Sequence, residues 1–239
     1  MNPFRLKFVP CFLALGVFIA VQTIASAATW MYVLDTTTTL PTDAGWTISG
    51  NNPNVPQPEG LTIPAGVYYQ HSFEADNDVG WTLEIVAKRA DAEAGFGSLL
   101  YVADGVYGTE WGFYGQDRYR TRSGNGDNAY VTAPGSDNTQ FVTIHITRKG
   151  DEMKIYFDDS DTPVATFSST VGNANMYVRL GDYTTGNPVS VIQSIKWTTE
   201  GAYLPSQIPE PRFSFLLLPV AAGGLYLLRR RRLAKPVVS

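Results

Sequence analysis

Along the middle of this chain apolar and polar residues alternate with a period of two, and the alternation returns many times. Trp81, Leu83, Ile85 and Ala87 alternate with Thr82, Glu84, Val86 and Lys88. Further on, Phe141, Thr143, His145 and Thr147 alternate with Val142, Ile144, Ile146 and Arg148. Successive side chains of a strand point to opposite faces, so this period predicts strands, not helices. The same reading predicts strands over 30–34, 67–73, 97–103, 111–114, 118–122, 153–157, 164–167, 176–180 and 189–198. Turn residues separate them at Asp104-Gly105, Gly115-Gln116-Asp117, Lys149-Gly150-Asp151 and 158–162. Residues 36–64, rich in Thr, Pro, Gly and Asn, predict a loop-dominated excursion with one or two short strands. Ten or more strands with short polar turns and no sustained helical period predict an all-β sandwich or barrel.

Both ends break the pattern. Arg5 and Lys7 precede an apolar stretch over 8–20, and Ala25-Ser26-Ala27 has the small-x-small form of a signal-peptidase site. A secretory signal peptide over 1–27, cut by signal peptidase after Ala27, is expected. Cys11, the only cysteine, lies inside it, so the mature chain holds no disulfide and no thiol nucleophile. At the other end come Pro209, Glu210 and Pro211, an apolar run over 213–228, and then Arg229, Arg230, Arg231 and Arg232. Sixteen residues at about 1.5 Å each span roughly 24 Å, short of the ~30 Å hydrocarbon core. The arginines are expected to hold their end in the cytoplasm.

That order resembles the PEP-CTERM sorting signal of Gram-negative bacteria. The resemblance implies export, arrest in the inner membrane by the tail, processing near Pro209, Glu210 and Pro211 by an exosortase, and delivery to the cell surface or beyond. The organisation it suggests is a signal peptide over 1–27, a β-domain over 28–200 and a linker over 201–207. A sorting signal over 208–232, with its transmembrane segment at 213–228, and a cytoplasmic tail over 233–239 follow.

Charge sharpens the picture of the middle. Between residues 28 and 208 ten Lys and Arg face twenty-one Asp and Glu, a net charge of about −11. Such a surface argues against nucleic acid and anionic lipid as partners, and is compatible with calcium, neutral glycans or plain solubility.

The segment over 141–157, with Asp158 and Asp159 in the turn, carries a second likeness. Its Phe141, Ile144, His145, Ile146, Gly150, Ile155, Tyr156 and Asp158 resemble the central hairpin of concanavalin-like and laminin-G-like jelly rolls. Arg179-Leu180-Gly181-Asp182 and the run over 192–197 look like the last two strands of that fold. The fold expected is therefore a concanavalin-like jelly-roll β-sandwich, flanked by the signal peptide and a C-terminal hydrophobic sorting helix. One departure is that Asp159 stands where the family has a turn glycine.

Glucanases of this fold carry two glutamates and an aspartate on alternate positions of one strand. The sequence has no such Glu-x-Asp-x-Glu set, and glycoside hydrolysis needs two carboxyls at a set separation. With two histidines, His71 and His145, and no nucleophile motif, a non-enzymatic module is expected. Binding is the function left. Jelly rolls of this kind stack sugar rings on aromatic faces, and the run over 107–130 offers Tyr107, Trp111, Tyr114, Tyr119 and Tyr130, with Arg118, Arg120, Arg122 and Asn128 among them. Trp111 and Phe113 share one face of their strand and Tyr114 the other, so part of this set belongs to the core. The three arginines line one strand face, where like charges repel unless acids or a ligand lie opposite. A structural calcium has weak candidates in Asp76 and Asp78; Asx turns explain the same residues. The expected partners are exosortase, signal peptidase, the inner membrane through the tail, and exopolysaccharide or other glycans. A polysaccharide-active enzyme on the same fold and a purely structural surface protein are the alternatives.

Overall fold

The computed structural model describes residues 28–90, 96–123, 128–168, 172–182 and 190–208. The expectations at Ala25, Ala27, Pro209, Glu210, Pro211, Arg229, Arg230, Arg231 and Arg232 lie outside them. Among the described residues no helix is long and apolar enough to cross a membrane.

Among the described residues fourteen strands run in chain order: β1 (Tyr32–Asp35), β2 (Thr47–Ser49), β3 (Leu61–Ile63), β4 (Val67–Ser72), β5 (Trp81–Arg89), β6 (Phe96–Asp104), β7 (Gly108–Tyr114), β8 (Arg118–Ser123), β9 (Asn128–Thr132), β10 (Val142–Lys149), β11 (Glu152–Phe157), β12 (Ala165–Ser168), β13 (Met176–Asp182) and β14 (Ser190–Thr198). They form two antiparallel sheets packed face to face as a jelly-roll sandwich. A back sheet has the order β1-β14-β5-β10-β11-β12, with β3 also paired to β14; a front sheet has the order β2-β4-β13-β6-β7-β8-β9. The 36–64 excursion contributes the short strands β2 and β3, as its composition suggests. The sequence reading missed β9, whose five residues form the free edge of the front sheet.

Strand alternation builds the core. Trp81, Leu83, Ile85 and Ala87 of β5 point inward with no exposure, and Ile144 and Ile146 of β10 sit beside them. From the front sheet, Trp111 and Phe113 of β7, Tyr119 of β8 and Val178 and Leu180 of β13 close the same layer. At one end, Tyr32 stacks on Trp197 at 3.9 Å between ring centroids, and Trp46 Nε1 donates to the Tyr32 hydroxyl at 2.6 Å.

Two buried arginines tie the sheets together. Arg148 of β10 is 1% exposed and lies 3.6 Å, Nε to Oδ2, from Asp104 at the end of β6. The Asp104 carboxylate also accepts from Trp81 Nε1 at 3.1 Å and from the amides of Val106 and Tyr107 at 3.1 and 2.7 Å. One carboxylate therefore joins β5, β10 and the β6–β7 turn. At the other end of the sandwich Arg89 of β5 donates to the Gly115 carbonyl in the β7–β8 turn. The turn that carries Asp158 and Asp159 has its own conformation. Asp158 itself takes the left-handed conformation, with φ of 52°, which short polar side chains tolerate, and its Oδ1 accepts the Thr143 amide at 3.3 Å.

Part of the outer face of the back sheet is covered, where Thr82, Glu84, His145, Thr147 and Tyr156 are buried. Residues 201–207, expected as a linker, pack across it. The Thr82 hydroxyl donates to the Gly201 carbonyl at 2.9 Å and accepts the Tyr203 amide at 2.8 Å. The Ser206 amide and hydroxyl both reach Asp161, while Pro205 and Ile208 are buried. Pro and Gly in this interval signal irregular backbone, which is correct, but irregular backbone can still be bonded to a sheet. Next to this cover Glu84 bonds Lys196 at 2.8 Å and lies 3.7 Å from His145 Nδ1.

Two predictions follow from this packing. Arg148→Ala leaves the Asp104 charge buried without its partner and is expected to cost about 3–5 kcal/mol in urea unfolding. Burial pushes the His145 imidazole below its ordinary range, against the pull of Glu84. The unfolded chain then binds the extra proton first, so stability is expected to fall as pH drops below about 6.5. His145→Gln should flatten that decline in pH-dependent urea titrations.

Candidate functional site

Among the described residues no segment crosses the outer face of the front sheet as 201–207 crosses part of the back sheet. The strands of the front sheet present every second side chain there: Tyr68 and Gln70 from β4, Tyr177 and Arg179 from β13, Phe96 and Tyr101 from β6, Glu110 and Tyr114 from β7, Arg118 and Arg120 from β8, and Tyr130 from β9. Cross-strand register sets Gln70, Arg179, Tyr101 and Glu110 side by side across four strands. A second row holds Ser98, Gly112, Arg120 and Tyr130.

Glycine shapes this surface beneath Tyr101. A Cβ on Gly108 would stand 2.3 Å from the Tyr101 hydroxyl, so only glycine lets that ring lie down across β7. Asn173 fixes it by donating to the hydroxyl at 2.9 Å, and Tyr177 stacks on it at 5.7 Å with planes 26° apart. Burial pushes the Tyr101 phenol above its ordinary range, so it stays protonated at neutral pH. The result is a fixed pair of rings with a hydroxyl held between Asn173 and the sheet.

The arginine stripe has its compensation. The Arg120 guanidinium rests 3.8 Å over the Phe96 ring, with Tyr114 at 6.0 Å. Arg118 sits 5.2 Å from the Tyr114 ring and 5.7 Å from Tyr130, and its Nε is 3.4 Å from Asp117. Arg179 lies over Tyr68 at 4.7 Å and Tyr177 at 4.3 Å, and its Nε donates to Gln70 at 2.7 Å. Ring faces carry negative quadrupole density, so each ring lowers the repulsion between neighbouring guanidiniums.

Of the residues selected from sequence, Tyr114, Tyr130, Arg118 and Arg120 meet on this face. Trp111 and Tyr119 do not. They are 1% and 0% exposed, stacked on each other at 5.5 Å, and belong to the core because their parity on β7 and β8 points inward. Tyr107 is also turned away, 4.3 Å from the Arg148 guanidinium at the inter-sheet end. The side chains of Arg122 and Asn128 lie outside the described residues. Sequence reasoning missed Tyr68, Phe96, Tyr101, Tyr177 and Arg179, although a tyrosine on the polar phase of an alternating strand was the available signal.

The outward positions of β7 read Gly108, Glu110, Gly112 and Tyr114, so this strand brings one carboxylate to the face. A Cβ on Gly112 would meet the Gly97 carbonyl at 2.2 Å, which excludes a larger residue between them. Asp76 and Asp78 line a cleft of about 350 Å³ with Asp104 at one end of the sandwich. Asp76 accepts the Asp78 amide at 2.9 Å, an Asx turn, and the Asp104 carboxylate is already engaged. Among the described residues no group of three or more His, Cys, Asp or Glu is placed to hold a metal ion.

No protein-family model and no curated protein sequence matches the chain. Solved structures do match its fold. The apo Crh5 transglycosylase aligns with a TM-score of 0.52 at 20% identity, over 74% of this chain and 86% of that one. The botulinum neurotoxin serotype D binding domain aligns at 0.51 with 7% identity, over 68% and 45%. The binding domain of botulinum neurotoxin DC, solved in complex with SialylT, aligns at 0.50 with 10% identity, over 68% and 44%.

Parity separates core rings from surface rings, and stability measures the difference. Trp111→Ala is expected to cost about 3–5 kcal/mol in urea unfolding. Tyr130→Ala, at a position 46% exposed, should stay within about 0.5 kcal/mol of the parent.

Proposed function

We propose that this chain is an exported, non-catalytic carbohydrate-binding module whose ligand lies on the outer face of the front sheet. The observation that carries the reading is the fixed platform of Tyr101 and Tyr177, flanked by Arg179, Gln70 and Asn173. Aromatic faces stack on the apolar faces of sugar rings, and adjoining polar groups bond the hydroxyls. Two of the fold's neighbours support it: the Crh5 transglycosylase has been solved in complex with NAG and the neurotoxin DC binding domain with SialylT. Export rests on the sequence ends. In this reading the signal peptide takes the chain across the inner membrane. The apolar run over 213–228 and the four arginines arrest it there, and an exosortase acts near Pro209, Glu210 and Pro211. The module then works at the cell surface or outside.

The transglycosylase neighbour gives a second reading weight, with Glu110 as the carboxylate it would use. Both are tested by applying the full chain to a glycan array and then incubating it with each glycan bound. Saturable binding that Tyr101→Ala and Tyr177→Ala abolish, with the glycan recovered intact, is the expected result. Transfer or cleavage products that disappear in Glu110→Gln would favour the enzyme. Absence of binding across the array would overturn the binding reading.

A further inference from the structure

We infer that the ligand of this face is an acidic polysaccharide, bearing carboxylates or sulfates, and not a neutral one. The inference rests on the carbohydrate-binding reading and adds the ligand's charge. Net charge alone points the other way, because the region over 28–208 carries about −11. The charge is distributed unevenly, however. Arg118, Arg120 and Arg179 lie on the outer face of the front sheet. Among the described residues Glu110 is the one carboxylate at an outward strand position there. Asp117, in the β7–β8 turn, pairs with Arg118 at 3.4 Å, and other described acids sit further away, at Glu84 on the back sheet and at Asp35, Asp76, Asp78, Asp151, Asp158, Asp159 and Asp161 in turns and strand ends.

Two of the arginines have no counter-charge among the described residues. Among the described residues neither Arg120 nor Arg179 forms an ion pair with a carboxylate; Arg179 bonds a neutral amide and Arg120 lies on a ring. Arg120 Nε is enclosed and has no hydrogen-bond partner among the described residues. A sugar laid over this face displaces the water that solvates both guanidiniums. A neutral sugar offers hydroxyl acceptors in return, whereas desolvating a cation is costly unless an anion replaces the water. Carboxylate and sulfate match the guanidinium fork with paired, charge-assisted bonds. At short range they outweigh the distant acids, which are screened beyond about 8 Å at physiological salt.

Spacing indicates a polymer. Arg179 on β13 and Arg120 on β8 are three strands and one two-residue step apart. At about 4.8 Å per strand and 3.4 Å per residue they stand ~16 Å apart. One monosaccharide cannot reach both, and a chain crossing the strands passes Tyr101 on the way.

The test measures binding of the full chain to polygalacturonate, dextran sulfate, neutral galactan, neutral dextran and polyglutamate, at low and high salt. Polygalacturonate or dextran sulfate is expected to bind at least about ten-fold more tightly than its neutral counterpart and to weaken with salt. Whichever of the two binds identifies the anion. Arg120→Gln and Arg179→Gln should each weaken that binding about five-fold or more while urea unfolding stays unchanged, and short oligomers should bind less well than long ones. Equal, salt-independent binding of neutral galactan or dextran would overturn the inference and leave the carbohydrate reading standing. Polyglutamate binding as tightly as the glycans would also overturn it, since the face would then read charge alone. Failure of all four glycans, with none bound on the array, would overturn both.

Discussion

A buried charge that neither sheet can hold alone sets the geometry of this sandwich. Arg148 projects from the back sheet into the core, where burial pushes the guanidinium below its ordinary range, and Asp104 meets it from the end of β6. The carboxylate is fixed by Trp81 and by two amides of the β6–β7 turn. Because the contact is buried, its failure would leave a charge without water or partner. It therefore ties the position of the β6–β7 hairpin to β10. That hairpin carries Tyr101, Gly108 and Glu110, so the same contact fixes the middle of the outer face on the opposite side of the sheet.

The asymmetry between the two outer faces gives the fold a direction. The back sheet spends its face on the C-terminal segment, which lies on Thr82 and reaches Asp161. Among the described residues the front sheet has no such cover. Its rings are held by one another, by Asn173 and by cations, which leaves their faces rigid and their neighbours polar. A rigid aromatic surface loses little conformational freedom when a ligand lies on it. Its arginines concentrate positive charge on one face of a domain that is acidic in sum.

Much of this was legible in the sequence. The period-two runs at 81–88 and 141–148 locate β5 and β10, and turn residues bound most of the other strands. β9 escaped because Asn-Ala-Tyr-Val-Thr is short and sits at an edge, where packing on one side leaves little pattern. The site was half legible. Tyr114, Tyr130, Arg118 and Arg120 were selected from a local concentration of aromatics and arginines. Trp111 and Tyr119 came with them because ring chemistry is the same in a core as on a surface. Only the phase of alternation tells the two apart. Tyr68, Tyr101, Tyr177 and Arg179 escaped because they are distant in sequence and meet only through the pairings of β13 with β4 and β6.

The most direct test of the central claim is an NMR titration of the isotope-labelled chain with an acidic oligosaccharide long enough to cross four strands. The account predicts shift changes concentrated on β13, β6, β7 and β8, with Tyr101, Arg120 and Arg179 among the largest. Changes centred on Glu84 and His145 under the C-terminal segment, or on the cleft beside Asp76 and Asp104, would contradict it.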